Sequence, residues 1–462
     1  MAASAHTYPQ SQSDSPEIFC DIEVSIGSSL ATFNLENAVC SHGLFMMAPN
    51  KWDPFTKPLI RPLRLSDCRA SALVRVFKLP HALLMRVYGT RYLAHSDRDA
   101  LTTQVRRMLR LSEGQETKML EFQEMHAGAK AKGFGRVFRS PTLFEDMVKC
   151  ILFCNCQWPR SLSMAQALCD LQLELQCQSS KVSLNAGDRV KSQVAADGPV
   201  SLAPSTPAVK ESKRKREPQK RAEVVAGQNA GNADDSNVDL NVCVRFLEMA
   251  NATQLSGTTL VSSVNHENIG NPMSHYPSLY EDSKAYCNNI MGDFPSPKEI
   301  ARLDEKYLAK RCCLGYRARR ILKLAQAVDD GSIKLSKLEE LCSEASLTNC
   351  NKVDGMLKEI NGFGPFTRGN VLMCMGFYNV VPTDSETIRH LKQVHARATT
   401  IGTVKEVVEE IYGHYEPYQF LAYWSELWSF YEGWFGKLSE MSSSDYRLIT
   451  ASNMKTQRKY IK

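Results

Sequence analysis

The chain has 462 residues, with 56 lysines and arginines against 50 acidic residues and a formal charge of +6. At roughly 150 residues per domain this allows two or three domains, or one large domain with unstructured segments. So small an excess of charge over the whole length identifies no nucleic-acid partner, which would need local clustering. No run reaches the roughly 18 consecutive apolar residues of a membrane span. The N-terminus shows neither a signal-like nor an Arg-rich amphipathic pattern, so an intracellular soluble chain without membrane contact is expected.

Residues 1–16 are small and polar and are expected to be disordered. From Phe19 the pattern alternates: Cys20, Ile22, Val24 and Ile26 fall on one face, with Asp21, Glu23 and Ser25 opposite, as in a half-buried strand. Further strand-like runs at 31–35, 43–47, 72–77 and 83–88, separated by turn-rich pieces such as 48–54, predict an antiparallel sheet domain over 17–95.

Beyond it the period becomes helical. Leu101, Val105, Met108 and Leu109 recur at helix spacing, as do Phe144, Met147, Val148, Ile151 and Leu152. Ser140-Pro141-Thr142 reads as a helix start, and Glu145 and Asp146 favour its dipole. Residues 96–175 thus form the first part of a helical core. Residues 176–285 are dominated by small and polar types and cannot offset chain entropy by burial, so a disordered insert is expected. Within it Lys213, Arg214, Lys215 and Arg216 form a basic cluster suited to nuclear import by a receptor, or to a solvated charge run. Helical pattern resumes over 286–440, and 441–462 is expected as a C-terminal tail. The stretch 298–323 carries nine basic residues against Glu299, Asp304 and Glu305, a local positive balance that suits phosphate.

The fifteen cysteines are scattered. Cys150, Cys154 and Cys156 are the closest group, yet no local partner completes a metal tetrad, so reduced, mostly buried thiols are expected and disulfides are not. His390, His395 and His414 show no spacing that demands a metal.

The informative stretch is 352–392. Met356, Leu357 and Ile360 mark a helix that stops at Asn361-Gly362; Phe363 points inward, and Pro365 after Gly364 opens the next helix. The amides of such a hairpin, at a helix N-terminus without a bulky Cβ, suit a DNA phosphate. The following apolar helix leads to Val381-Pro382-Thr383-Asp384, where Asp384 reads as a helix N-cap or as a carboxylate held for chemistry.

The residues LKEINGFGPFTRGNV from Leu357, together with Val381-Pro382-Thr383-Asp384, resemble the helix-hairpin-helix–Gly/Pro/Asp superfamily of DNA glycosylases. More remotely, 294–324 is similar to the helix pair ahead of that hairpin and 139–152 to the first helix of the catalytic core. The N-terminal sheet resembles the extra domain of the 3-methyladenine glycosylase II and 8-oxoguanine glycosylase branch. The resemblance implies an α+β chain whose mostly helical core, with its helix-hairpin-helix at 352–377, hydrolyses the N-glycosidic bond of a flipped-out base. The partner would be duplex DNA containing damaged bases. Asp384 would stabilise the oxocarbenium-like sugar and orient water. Gly362, Phe363, Gly364, Phe366 and Thr367 would meet the DNA backbone.

Members that also cut the strand carry a lysine two residues after the second hairpin glycine, where this chain has Phe366. That departure implies a monofunctional enzyme that leaves an abasic site. The substrate expected is an alkylated or otherwise modified purine, and no cofactor or metal is expected. No cysteine follows Cys374 to build the iron–sulfur cluster of a related branch. Asn155 matches a position that fills the gap left by the flipped base, or caps a helix end. Trp158, Tyr418, Trp424 and Trp428 are candidates to stack on a base, although the i, i+4 spacing of Tyr423, Trp424, Leu427 and Trp428 favours core packing. The competing readings are a helix-hairpin-helix protein that grips DNA without catalysis, an 8-oxoguanine glycosylase using another lysine as lyase, and an inactive scaffold. A nuclear monomer is expected.

Overall fold

The computed structural model describes residues 18–189, 291–342 and 346–457. An N-terminal five-stranded antiparallel sheet has the order β1-β5-β4-β3-β2, with β1 Phe19–Ser25, β2 Lys51–Trp52, β3 Leu59–Arg64, β4 Ser71–Lys78 and β5 Ala82–Tyr88. β1 buries Cys20, Ile22 and Val24 and exposes Asp21 and Glu23, the alternation its sequence predicts. It pairs with β5 in the register Phe19↔Tyr88 to Ser25↔Ala82.

Two expected strands are absent. Residues 31–35 run into a short helix, α1 (Leu35–Val39), because the Asn34 side chain accepts the amide of Asn37. Residues 43–47 form a 3₁₀ turn over Gly43–Met46, started by His42 Nδ1 accepting the Leu44 amide. In their place β3 carries Pro62, which is buried opposite Leu73 of β4; the short β2 pairs only with Leu59 and Ile60, so the missing donor breaks no pairing with β2.

The helices follow as α2 His95–Met108, α3 Glu113–Met125, α4 Ala127–Lys132, α5 Leu143–Phe153 and α6 Trp158–Arg189. Leu101, Val105 and Met108 of α2 and Phe144, Met147, Val148, Ile151 and Leu152 of α5 are buried, as their spacing predicts. α6 continues past position 176, where the insert was expected to begin. The remainder of the insert, including Lys213, Arg214, Lys215 and Arg216, lies outside the described residues, as do residues 1–16. After it come α7 Pro297–Ala301, α8 Glu305–Arg311, α9 Arg317–Asp329, α10 Leu335–Glu340, α11 Leu347–Lys358, α12 Pro365–Met375, α13 Ser385–Val394, α14 Val404–Tyr412, α15 Gln419–Phe435 and α16 Ala451–Gln457.

Within the expected tail, the described residues 441–457 include a packed stretch. Tyr446 is buried against Phe45, ring centroids 5.5 Å apart, and its carbonyl accepts the Trp158 indole N–H at 3.0 Å. The cysteines also depart in one place: Cys313 is disulfide-bonded, while the other described cysteines are free thiols.

Glu145 and Asp146 do more than favour the α5 dipole. Arg61 of β3, almost fully buried, donates to both oxygens of Glu145 at 3.0 and 3.3 Å, and Lys149, one turn along α5, donates to the same carboxylate at 2.7 Å. Asp293, where the described chain resumes, lies 3.6 Å from Arg61 and 3.0 Å from Arg64. Asp146 accepts the Ser140 amide at 2.7 Å and pairs with Arg107 at 2.9 Å. Burial alone would push the Glu145 carboxyl up; the charges and hydrogen bonds of Arg61 and Lys149 overcome it and hold the value at about 2, against 4.5 for an ordinary glutamate. Asp293 moves the other way, raised by burial despite the two arginines.

Removing one partner leaves buried charge uncompensated, so Arg61→Met should lower unfolding stability by about 3–5 kcal/mol, read from urea melts. The depressed Glu145 value makes its contribution fully present above about 4.5 and lost as pH falls through about 2. The variant should accordingly show a flatter loss of stability over that interval.

Candidate active site and nucleic-acid interface

The hairpin is built by local rules. α11 starts at the side-chain cap of Ser346, and past its end the Phe363 amide bonds to Ile360 O. Gly362 turns the chain at φ +90°, in the left-handed region that favours glycine. Phe363 is buried and anchors the turn, while Gly364 is the exposed N-cap of α12 with Pro365 in its first turn. Arg368 donates from α12 to Asp354 at 2.7 Å and to Phe363 O at 3.2 Å, clipping the two helices together. A Cβ on Gly364 would meet nothing within 4 Å. The amides of Gly364, Phe366 and Thr367 are thus the orphan donors of an open helix N-terminus, suited to a phosphate.

A basic side chain lies beside this opening. A Cβ on Gly362 would lie 2.5 Å from Arg320 Cδ, so Arg320 lies directly over the turn. Its guanidinium sits 4.7 Å from the centre of the Tyr316 ring, and that of Arg317 sits 4.6 Å from the same ring. Tyr316 is half exposed, whereas Arg317 is buried and donates to the carbonyls of Cys154 and Asn155, the latter at 3.0 Å. The positive balance of 298–323 therefore contributes directly to the hairpin surface. Sequence reasoning counted these charges without singling out Tyr316, Arg317 and Arg320; the signal available was an aromatic residue interleaved with arginines.

Thr367, fully buried, places its hydroxyl 2.7 Å from Cys154 Sγ, which ties the start of α12 to the end of α5. Asn155 follows that helix end at φ +45° with an exposed side chain. Its backbone conformation is that of a helix terminus, and its amide group is in no hydrogen bond among the described residues. Phe366 lies half-buried in the first turn of α12, and its carbonyl accepts from Asn370 at 2.9 Å.

Asp384 is reached through α12. Gly369 lets that helix approach the following loop, since a Cβ there would be 3.1 Å from Pro382 Cβ. Asp384 then caps α13 in a capping box: Oδ1 accepts the amides of Glu386 at 2.9 Å and Thr387 at 3.0 Å, and Thr387 Oγ1 receives the Asp384 amide at 3.2 Å. Thr387 Oγ1 is also 3.2 Å from the hydroxyl of the buried Tyr423. Every hydrogen bond to the Asp384 carboxylate uses Oδ1, and Oδ2 has no partner among the described residues. Burial raises the Asp384 carboxyl above the usual aspartate range, the Thr387 amide lowers it, and the charge of Glu386 raises it. The cap and the available oxygen are compatible: one carboxylate does both.

Three proposed stacking residues have their polar groups committed within the protein. Trp158 donates to Tyr446 O and packs over Gly43. Tyr418 is buried and bonds to Glu121. Trp424 donates to Ser41 O at 2.9 Å and stacks on Phe420 at 5.7 Å and 10°. Tyr418 is buried, while Trp158 at the start of α6 and Trp424 on α15 are half-buried. His390 and His395, which suggested no metal by spacing, converge with Glu426 of α15.

No protein-family model and no curated protein matches the sequence. Among solved structures the chain is similar to the apo 8-oxoguanine glycosylase/lyase of Clostridium acetobutylicum, at 11% identity and TM-score 0.45, covering 86% of this chain and 92% of that one. It is similar to MBOgg1 in complex with a low-affinity DNA ligand at 15% identity and TM-score 0.47, covering 90% and 97%. It is also similar to 3-methyladenine DNA-glycosylase from Archaeoglobus fulgidus at 13% identity and TM-score 0.45, covering 90% and 99%. None of these likenesses bears on chemistry, which rests on the hairpin, the Asp384 carboxylate and the basic face.

Gly362→Ala should strain the left-handed turn by about 1–2 kcal/mol and displace Arg320. Expected is weaker binding to undamaged duplex DNA with a shallower salt dependence, measured by fluorescence anisotropy across a salt series.

Proposed function

We propose that the chain is a DNA glycosylase that hydrolyses the N-glycosidic bond of a damaged base flipped out of duplex DNA. One observation carries this reading: Asp384 has one oxygen fixed by helix amides and the other uncommitted, on the helix that follows a phosphate-suited hairpin. A carboxylate held in this way is preorganised, so it stabilises positive charge developing on the sugar without having to reorient. The free oxygen would face that charge or accept a proton from the attacking water. The hairpin amides, with Arg320 and the exposed Tyr316 ring beside them, would hold the backbone beside the extruded nucleotide.

The reaction is monofunctional in this proposal. Phe366 stands where a Schiff-base lysine would be needed, and an aromatic ring supplies no amine. The substrate class is alkylated or otherwise modified purines. The protein acts as a monomer in the nucleus, with Lys213, Arg214, Lys215 and Arg216 serving as the import signal. A non-catalytic DNA-gripping role is supported by the hairpin but gives no use to the uncommitted Asp384 oxygen.

Duplexes bearing single lesions (a 3-methyladenine analogue, hypoxanthine, 8-oxoguanine or uracil) separate these readings. The wild type should release a base from at least one purine lesion, with strand breaks appearing only after alkali. Asp384→Asn keeps a capping side chain and should fold, while base release falls by about 10²–10³-fold, as when a preorganised electrostatic group is lost. Because ionised Asp384 is the active form and burial raises its pKa, the acid limb of the wild-type rate profile should lie above the ordinary aspartate range. DNA binding without release from any lesion would leave the gripping role. A borohydride-trapped covalent complex would overturn the monofunctional assignment.

A further inference from the structure

Where α13, α14 and α15 meet, four side chains aim their polar atoms at one point. Glu426 Oε1 lies 2.6 Å from His390 Nε2, 2.7 Å from His395 Nε2 and 2.7 Å from the Tyr412 hydroxyl. The Tyr412 hydroxyl is itself 3.1 Å from His395 Nε2. We propose that His390, His395 and Glu426 form a binding site for a divalent cation of the Zn(II) class, with the Tyr412 oxygen or water completing its coordination.

The donor set fits that class. Two imidazoles and a carboxylate are borderline ligands of the kind zinc takes, whereas an all-oxygen set would suit magnesium or calcium. The three donor atoms lie within 4.8 Å of one another. A tetrahedral ion with bonds near 2.0–2.1 Å needs ligand separations of about 3.3 Å, so the contacts of 2.6 and 2.7 Å to Glu426 would have to lengthen. The backbones are fixed: His390 lies on the buried face of α13, His395 caps its C-terminus, Tyr412 ends α14 and Glu426 is central in α15. Preorganised positions of this kind lower the cost of assembling a site.

Charge points the same way. Glu426 forms ion pairs only with the two histidines among the described residues, without lysine or arginine. With no lysine or arginine beside it, the carboxylate is available to a divalent ion. The site is accessible, since the His395 and Glu426 side chains retain 24% and 32% exposure while His390 has none.

Each ring now donates from Nε2 to Glu426. On metal binding that proton moves to Nδ1 and the Nε2 lone pair enters the coordination bond. His390 Nδ1 is buried without a partner in either tautomer, so the exchange orphans no additional atom of that ring. The ion would fasten α14 and α15 to α13, the helix that Asp384 caps, and takes no part in the reaction proposed above.

Purified full-length protein, stripped with a chelator, would be titrated with Co(II) as a visible probe and then with Zn(II) in competition. Expected is one Co(II) per chain with d–d absorption but no thiolate charge-transfer band, displaced by Zn(II). His395→Ala and Glu426→Gln should each weaken Co(II) binding by more than about tenfold. Circular dichroism monitors folding, and Glu426→Gln keeps a side chain that bonds Tyr412 and His395 should the alanine variant unfold. Absence of Co(II) binding would overturn the proposal. So would a thiolate band, or affinity unchanged in the folded variants, since the ion would then sit elsewhere.

Discussion

Arg61 carries a positive charge into the interior between the N-terminal sheet and α5, and two other parts of the chain supply its counter-charges. Glu145 comes from α5 and Asp293 from the point where the described chain resumes, while Lys149, one turn further along α5, is a second cation on Glu145. None of these charges is tolerable there alone; together they leave each formal charge with an opposite neighbour. Hydrophobic contact between sheet and helix permits sliding, because it is nondirectional. The two-pronged Arg61–Glu145 bond fixes both direction and register.

What this fixes is the far end of α5. Once its first turn is tied to β3, its C-terminal loop lies where Cys154 meets Thr367 and where Arg317 grips the carbonyls of Cys154 and Asn155. The same α9 sends Arg320 over Gly362. The end of α5, the basic face of α9 and the mouth of the hairpin are therefore one surface, although Asn155 and Gly362 are far apart in sequence. Asn155 has the backbone of a helix terminus and an exposed amide, so its two readings are compatible in the same way as those of Asp384.

Asp384 illustrates how little backbone is needed to hold a carboxylate. Two amides of α13 and one hydroxyl account for Oδ1, and the closeness of Gly369 to Pro382 sets where the loop delivers it. The helix cap, which by itself explains most aspartates at such junctions, here supplies the rigidity that a catalytic carboxylate requires.

Much of this was legible in the sequence where the information is local. The alternation of β1, the apolar stripes of α2 and α5, the Gly362–Pro365 turn and the placement of Asp384 at a helix start all follow from residues within a turn or two of one another. The stretch 43–47 failed for an equally local reason, a histidine side chain that caps a turn better than a strand can use it. Tertiary structure alone decided the partners of Glu145, the convergence of His390 and His395 on Glu426, and the polar partners of Trp158, Tyr418 and Trp424. Periodicity records which face of an element is apolar. It does not record which distant element will face it, and that choice is made by packing and by the pairing of buried charge.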